Sequence, residues 1–128
     1  MASSIWRRIP HIITVNKTVA ANATDSISVA IGGDPVEIYG IAGTATSASY
    51  RINLAPSDTG KNLITEAIAS ACVVGTAMEP ARIDGGGAGY GQPLVVLGGS
   101  QITFNFVNLT GADNTIQLAL YGFRLLRA

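Results

Sequence analysis

Three features of this sequence together predict an all-β chain, an antiparallel β-sandwich of jelly-roll-like type with an extended N-terminal arm. Runs of alternating apolar and polar residues follow one another closely, Gly, Pro, Asp and Asn mark their boundaries, and a single segment carries a helical period. Strands spaced this way, with no long helices between them, favour two packed sheets over an α/β arrangement. Met1 to Arg8 read as an arm, whose removal is expected to leave the stability of the fold nearly unchanged. Residues 9–128 read as one sandwich domain.

Each element follows from its residues. Ile9 to Val19 is rich in β-branched side chains (Ile12, Ile13, Thr14, Val15, Thr18, Val19), which suit a pleated surface. Ser26 to Ile31 alternates Ile27, Val29 and Ile31 with Ser26, Ser28 and Ala30, and stops at Gly32-Gly33-Asp34-Pro35, a strong turn signal. Val36, Ile38 and Ile41 continue the apolar pattern. Ala45 to Leu54 places Ala48, Tyr50, Ile52 and Leu54 on one face and closes at Ala55-Pro56-Ser57-Asp58. Lys61 to Ala71 is the one candidate helix, with Leu63, Ile64, Ala67 and Ile68 at helical spacing, although the same residues suit a strand equally. Strand character resumes over Cys72 to Thr76. A glycine-rich loop, Asp84 to Gly91, then precedes Pro93 to Leu97.

The end of the chain, from Pro93 to Ala128, reads as a long antiparallel hairpin. Ile102, Phe104 and Phe106 alternate with Thr103 and Asn105. Ile116, Leu118 and Leu120 alternate with Gln117 and Ala119, and a polar connection from Thr110 to Asn114 lies between the two runs. Past Leu120 the apolar residues change parity to Tyr121, Phe123 and Leu125, with Gly122 at the change. A one-residue slip exchanges the two faces of a strand, so this pattern predicts a β-bulge at Tyr121-Gly122 and an end that meets a different surface from its beginning.

Composition narrows the function classes. Charged residues make up 12% of the chain and hydrophobic ones 48%, about half the usual share of charge for a soluble domain. Such a surplus of apolar surface favours an assembly in which partners cover large patches. Eight basic and eight acidic residues cancel, leaving no net field to draw the chain to nucleic acid or an anionic membrane. No run reaches the roughly 18 apolar residues of a membrane-spanning helix, and the N-terminus lacks the pattern of a secretory signal. The single Cys72, in the apolar setting Ala71-Cys72-Val73-Val74, reads as a small buried hydrophobe.

No catalytic pattern converges. His11 is the only histidine and reads as a surface or half-buried strand residue. Asp58-Thr59-Gly60 matches the triplet of aspartic proteases, but Pro56-Ser57 and Lys61 surround it where that family has apolar and small residues, so a turn explains it better. The glycine-rich stretch ending at Gly91 lacks the Gly-Lys-Ser/Thr close of a phosphate loop. The residues therefore point to a chain that is not an enzyme and uses no cofactor or metal.

The segment Gly98-Gly99-Ser100-Gln101-Ile102-Thr103-Phe104-Asn105-Phe106-Val107-Asn108-Leu109-Thr110, followed by Asn114 to Arg124, resembles the C-terminal hairpin of small auxiliary virion proteins of tailed bacteriophages. In those proteins a glycine-serine turn opens a strand that closes on an Asn-Leu step, and a second strand ends in an aromatic-Gly-aromatic-Arg tag. The resemblance covers about a quarter of the chain. It implies a β-sandwich made in a host cytoplasm and built in many copies into a virion, as a capsid decoration or cement protein or as part of the collar or tail. Its implied partners are copies of itself and virion proteins such as the major capsid protein or connector. On this reading Trp6, Arg7 and Arg8 anchor the arm, an aromatic with two arginines being the composition of interface hot spots. Phe123, Arg124, Leu125 and Leu126 lie at a subunit contact. The alternative is a carbohydrate- or receptor-binding module of a phage fibre or spike, using Tyr39, Tyr50 and above all Tyr90 at the tip of the glycine-rich loop.

Overall fold

The computed structural model describes residues 6–58, 66–76, 78–82 and 93–127. The strands among them are β1 (Trp6–Val19), β2 (Thr24–Ala30), β3 (Val36–Ala45), β4 (Tyr50–Pro56), β5 (Ile68–Ala69), β6 (Ala81–Arg82), β7 (Leu94–Val96), β8 (Gln101–Asn108) and β9 (Asn114–Arg127). Two sheets result. One has the order β1-β9-β3-β6, with β7 also on β3, and the other the order β2-β8-β4-β5.

The pairings are nested. β1 joins β9, β2 joins β8, β3 joins β7 and β6, and β4 joins β5, all antiparallel. A long two-stranded ribbon rolled on itself gives this nesting, and the roll adds the contacts of β9 with β3 and of β8 with β4. This is the jelly-roll topology, and the antiparallel sandwich expected from the alternation is therefore present.

Alternation puts one apolar row of each strand between the sheets. Tyr50, Ile52 and Leu54 of β4 and Ile102, Phe104 and Phe106 of β8 meet Ile13 and Val15 of β1, Ile38 and Ile41 of β3, and Ile116, Leu118 and Leu120 of β9. Phe104 and Phe106 stack with ring centroids 6.4 Å apart, and Tyr50 meets Phe106 edge-on at 6.1 Å. Such geometries add to the area term of burial.

The expected C-terminal hairpin is not formed. β8 and β9 lie in different sheets, each already paired on both sides, and the chain crosses between them after Asn108. Their apolar rows do share the core, facing each other across it instead of lying side by side. Asn108 holds the corner. Its amide nitrogen donates to the carbonyls of Val19, Ala20 and Ala112 at 3.1, 3.1 and 2.8 Å, and its oxygen accepts from the backbone N–H and hydroxyl of Thr110 at 3.0 and 2.8 Å. The matching crossing from β3 to β4 is held by buried Asn114, whose side chain both accepts from Ser47 N–H and donates to Ser47 C=O.

Other expectations are corrected. From Glu66 onward the candidate helix is absent: Ile68 and Ala69 pair with β4, and Ser70–Cys72 is one 3-10 turn; residues 61–65 lie outside the described residues. Cys72 is exposed, because that turn sits at the margin of the sandwich and not in the core. Cys72 to Thr76 contributes a single isolated bridge, Gly75 with Ala42. The bulge is in β3, opposite its expected place. Ile38 faces Gly122 and Gly40 faces Tyr121, so Tyr39 is the extra residue, while β9 stays in unbroken register with β1. Gly122 lies beside the bulge, where a Cβ would run into the Glu37 carbonyl; only glycine lets β3 approach so closely.

Candidate interaction surface

The first and last strands bring the two expected contact clusters onto one ladder. Trp6 stands opposite Arg127, Arg7 opposite Leu126, Arg8 opposite Leu125, and Pro10 opposite Phe123. The boundary expected between an arm ending at Arg8 and a domain starting at Ile9 thus falls inside β1; residues 1–5 lie outside the described residues. These rungs run past the core, which reaches only to Ile13 on β1 and Leu120 on β9; Ile9 is already 37% exposed.

Because β9 has no bulge, its change of apolar parity is a change of face. Ile116, Leu118 and Leu120 point into the sandwich, whereas Tyr121, Phe123 and Leu125 point to the outer side of the sheet, where they are half-buried. Pro10 and Ile12 of β1 join them there, Ile12 at 52% exposure, and Tyr39, next to inward-facing Ile38, lies on the same side. Pro10, Ile12, Tyr39, Tyr121 and Phe123 line an open, mostly apolar depression of ≈ 290 Å³.

Arg8 closes one end of this patch. Its Nε donates to Glu37 Oε1 at 3.0 Å and its Nη2 to the Tyr39 hydroxyl at 2.9 Å. The guanidinium lies 4.3 Å from the centre of the Phe123 ring, and Tyr39 meets Phe123 edge-on at 5.9 Å and 88°. Arg8 is therefore held within its own domain, as a lid on an aromatic pair. Arg7 and Arg124 are exposed, and Leu126 is half-buried. The sequence singled out Arg8 and Phe123 as contact residues, Tyr39 only for sugar stacking and Tyr121 only for a bulge; that they meet one another and Glu37 is visible only in the register of β1, β9 and β3.

On the inner side of the same rungs, His11 and Arg124 line a cleft of ≈ 270 Å³ with Asp34, Val29 and Ile31. His11 is half-buried in β1, and its pKa is lowered, first by partial burial and then by the nearby Arg124 charge. Asp58 accepts a hydrogen bond from Leu97 N–H at 3.1 Å, which ties the turn after β4 to the end of β7; Thr59 and Gly60 lie outside the described residues.

Of the tyrosines considered for sugar stacking, Tyr50 is in the core at 3% exposure, and the Tyr39 hydroxyl accepts a hydrogen bond from Arg8. Tyr90 lies outside the described residues. No protein-family model, curated protein or solved structure matches the chain.

Proposed function

We propose that this chain is a non-enzymatic structural subunit that assembles in multiple copies on a phage particle, stabilising or decorating the capsid or the head-tail region. The observation that carries the reading is the outer face of β1, β9 and β3, where Pro10, Ile12, Tyr39, Tyr121, Phe123 and Leu125 form one apolar and aromatic surface. A strand that spends half its apolar residues on the core and the rest on the opposite face has a second surface to cover. Aromatic residues with one arginine at the margin have the composition of an interface centre, and a chain with few charges keeps the desolvation cost of covering it low. The fold itself is common to capsid and lectin domains and favours neither alone.

The test is assembly. Purified protein mixed with particles that lack it should co-sediment at a fixed stoichiometry. Ile12→Asp, at an exposed position, should abolish that binding while leaving the circular dichroism spectrum and melting temperature unchanged. Protein that never co-sediments, or an Ile12→Asp variant that binds as well as the parent, would overturn the reading.

A further inference from the structure

The strand β1 is 14 residues long and forms the edge of its sheet, with β9 as its one partner strand among the described residues. Typical strands have 5–6 residues, and a long open edge is a template for pairing with another chain. The other sheet ends on a shorter strand, β2, of 7 residues, and Lys17 reaches across to Asp25 of β2 at 3.3 Å.

Which backbone groups of β1 are free follows from its neighbours. Leu125 N–H donates to Pro35 C=O and Thr46 N–H to Thr115 C=O, so odd-numbered residues of β9 bond on the side of β3. Along a strand the bonding direction alternates, so even-numbered residues of β9 bond toward β1. These stand opposite odd-numbered residues of β1, as Gly122 opposite His11 and Leu120 opposite Ile13. The N–H and C=O groups of even-numbered residues, Arg8, Pro10, Ile12, Thr14, Asn16 and Thr18, therefore point out of the sheet edge, and all six side chains are exposed. Pro10 has no N–H, which is the position at which an edge strand tolerates proline. It ends the usable template on one side, and the turn after Val19 ends it on the other.

We infer that β1 pairs with β1 of a second copy, antiparallel, about a twofold axis passing at Val15. Ile12, Thr14, Asn16 and Thr18 are symmetric about that point. Ile12 then faces Thr18 of the second copy and Thr14 faces Asn16, and every outward donor and acceptor from Ile12 to Thr18 is used. The register places no like charges opposite each other among these side chains, the arrangement that cross-strand pairing requires. A net charge of zero lets two copies meet without long-range repulsion. The outer faces of the two sheets become continuous, with both apolar patches on one side. This identifies the first partner in the assembly reading above, on which it rests, as a second copy of the chain.

Sedimentation equilibrium or native mass spectrometry of the full chain tests it. The parent should be a dimer. Thr14→Pro removes one outward N–H from each copy and no bond within the domain, and should weaken the dimer at least roughly tenfold with an unchanged circular dichroism spectrum. If that variant does not fold, Thr14→Lys with Asn16→Lys keeps the inference testable, because it sets lysines opposite each other twice at exposed positions; it should be monomeric. A monomeric parent, or a dimer indifferent to both variants, overturns the inference. The particle assay separates the two readings: binding that survives in the monomeric parent retains the assembly reading alone, whereas an edge-dependent dimer that never binds particles retains the pairing alone.

Discussion

At the scale of single residues, Asn108 shows how much of a jelly roll rests on side chains that a hydropathy pattern does not register. It is 1% exposed and serves three carbonyls and one threonine at the point where the chain leaves one sheet for the other. A buried polar group left unpaired costs about 1–3 kcal/mol. Asn108→Ala strands carbonyls of two loops at once and should lower unfolding stability by at least about 2 kcal/mol, measured by denaturant titration. Asn108→Asp is expected to be worse at neutral pH, because a carboxylate would face three carbonyl oxygens with no proton to give. If alanine and aspartate were tolerated equally, the corner would be held by its backbone alone. The sequence offered Asn108 only as part of the Asn-Leu step that closes a strand. Its role depends on Val19 and Ala20, which are distant along the chain.

Among the elements, β1 and β9 repay closest comparison with their sequences. The period-two pattern made both legible as strands, and the start of β9 was legible as core-facing. The partner of each strand was not, because alternation reports which face is buried and says nothing of which edge is bonded. β8 and β9 consequently read as a hairpin although they face each other across the core. The parity change at Gly122 was also legible, but a slip in β9 and an apolar outer face give the same string of letters. Register decides for the second, with the extra residue in β3. The same rungs alter what the N-terminal segment should do. Arg8 donates to Glu37 and Tyr39 and covers Phe123, so the segment contributes to the fold. An ion pair half open to water and one cation–π contact are together worth about 1 kcal/mol. Arg8→Ala should lower stability by about that amount, and Arg8→Lys should restore little of it, since an ammonium cannot donate from two separate nitrogens while stacking on a ring. Thermal denaturation of the three proteins checks this, and full recovery with lysine would reduce Arg8 to a simple charge.

For the molecule as a whole, nesting of the first strand with the last means that no part of the roll is local. Trp6 to Val19 pairs with Asn114 to Arg127, so nearly the entire chain must be gathered before that ladder forms. Sheets closed by distant pairings fold in milliseconds to seconds, whereas helical bundles of similar length take microseconds to milliseconds. A single cluster of buried side chains draws on both sheets, including Ile13 and Val15 from the edge of one and Phe104 and Phe106 from the centre of the other. The two sheets should therefore unfold as one unit. Val15→Ala and Phe106→Ala, at opposite ends of this arrangement, should each lower one and the same transition, by about 1–3 and about 3–5 kcal/mol respectively. Hydrogen exchange in β1 and in β8 should slow and quicken together across the two variants. Were Val15→Ala to release the β1 and β9 ladder while β2, β8 and β4 stayed protected, the sheets would be separate folding units. A β1 that can leave its sheet independently would also be a poor edge on which to build a dimer, so the same exchange experiment bears on assembly: the edge must be as stable as the core behind it before a second copy can add to it.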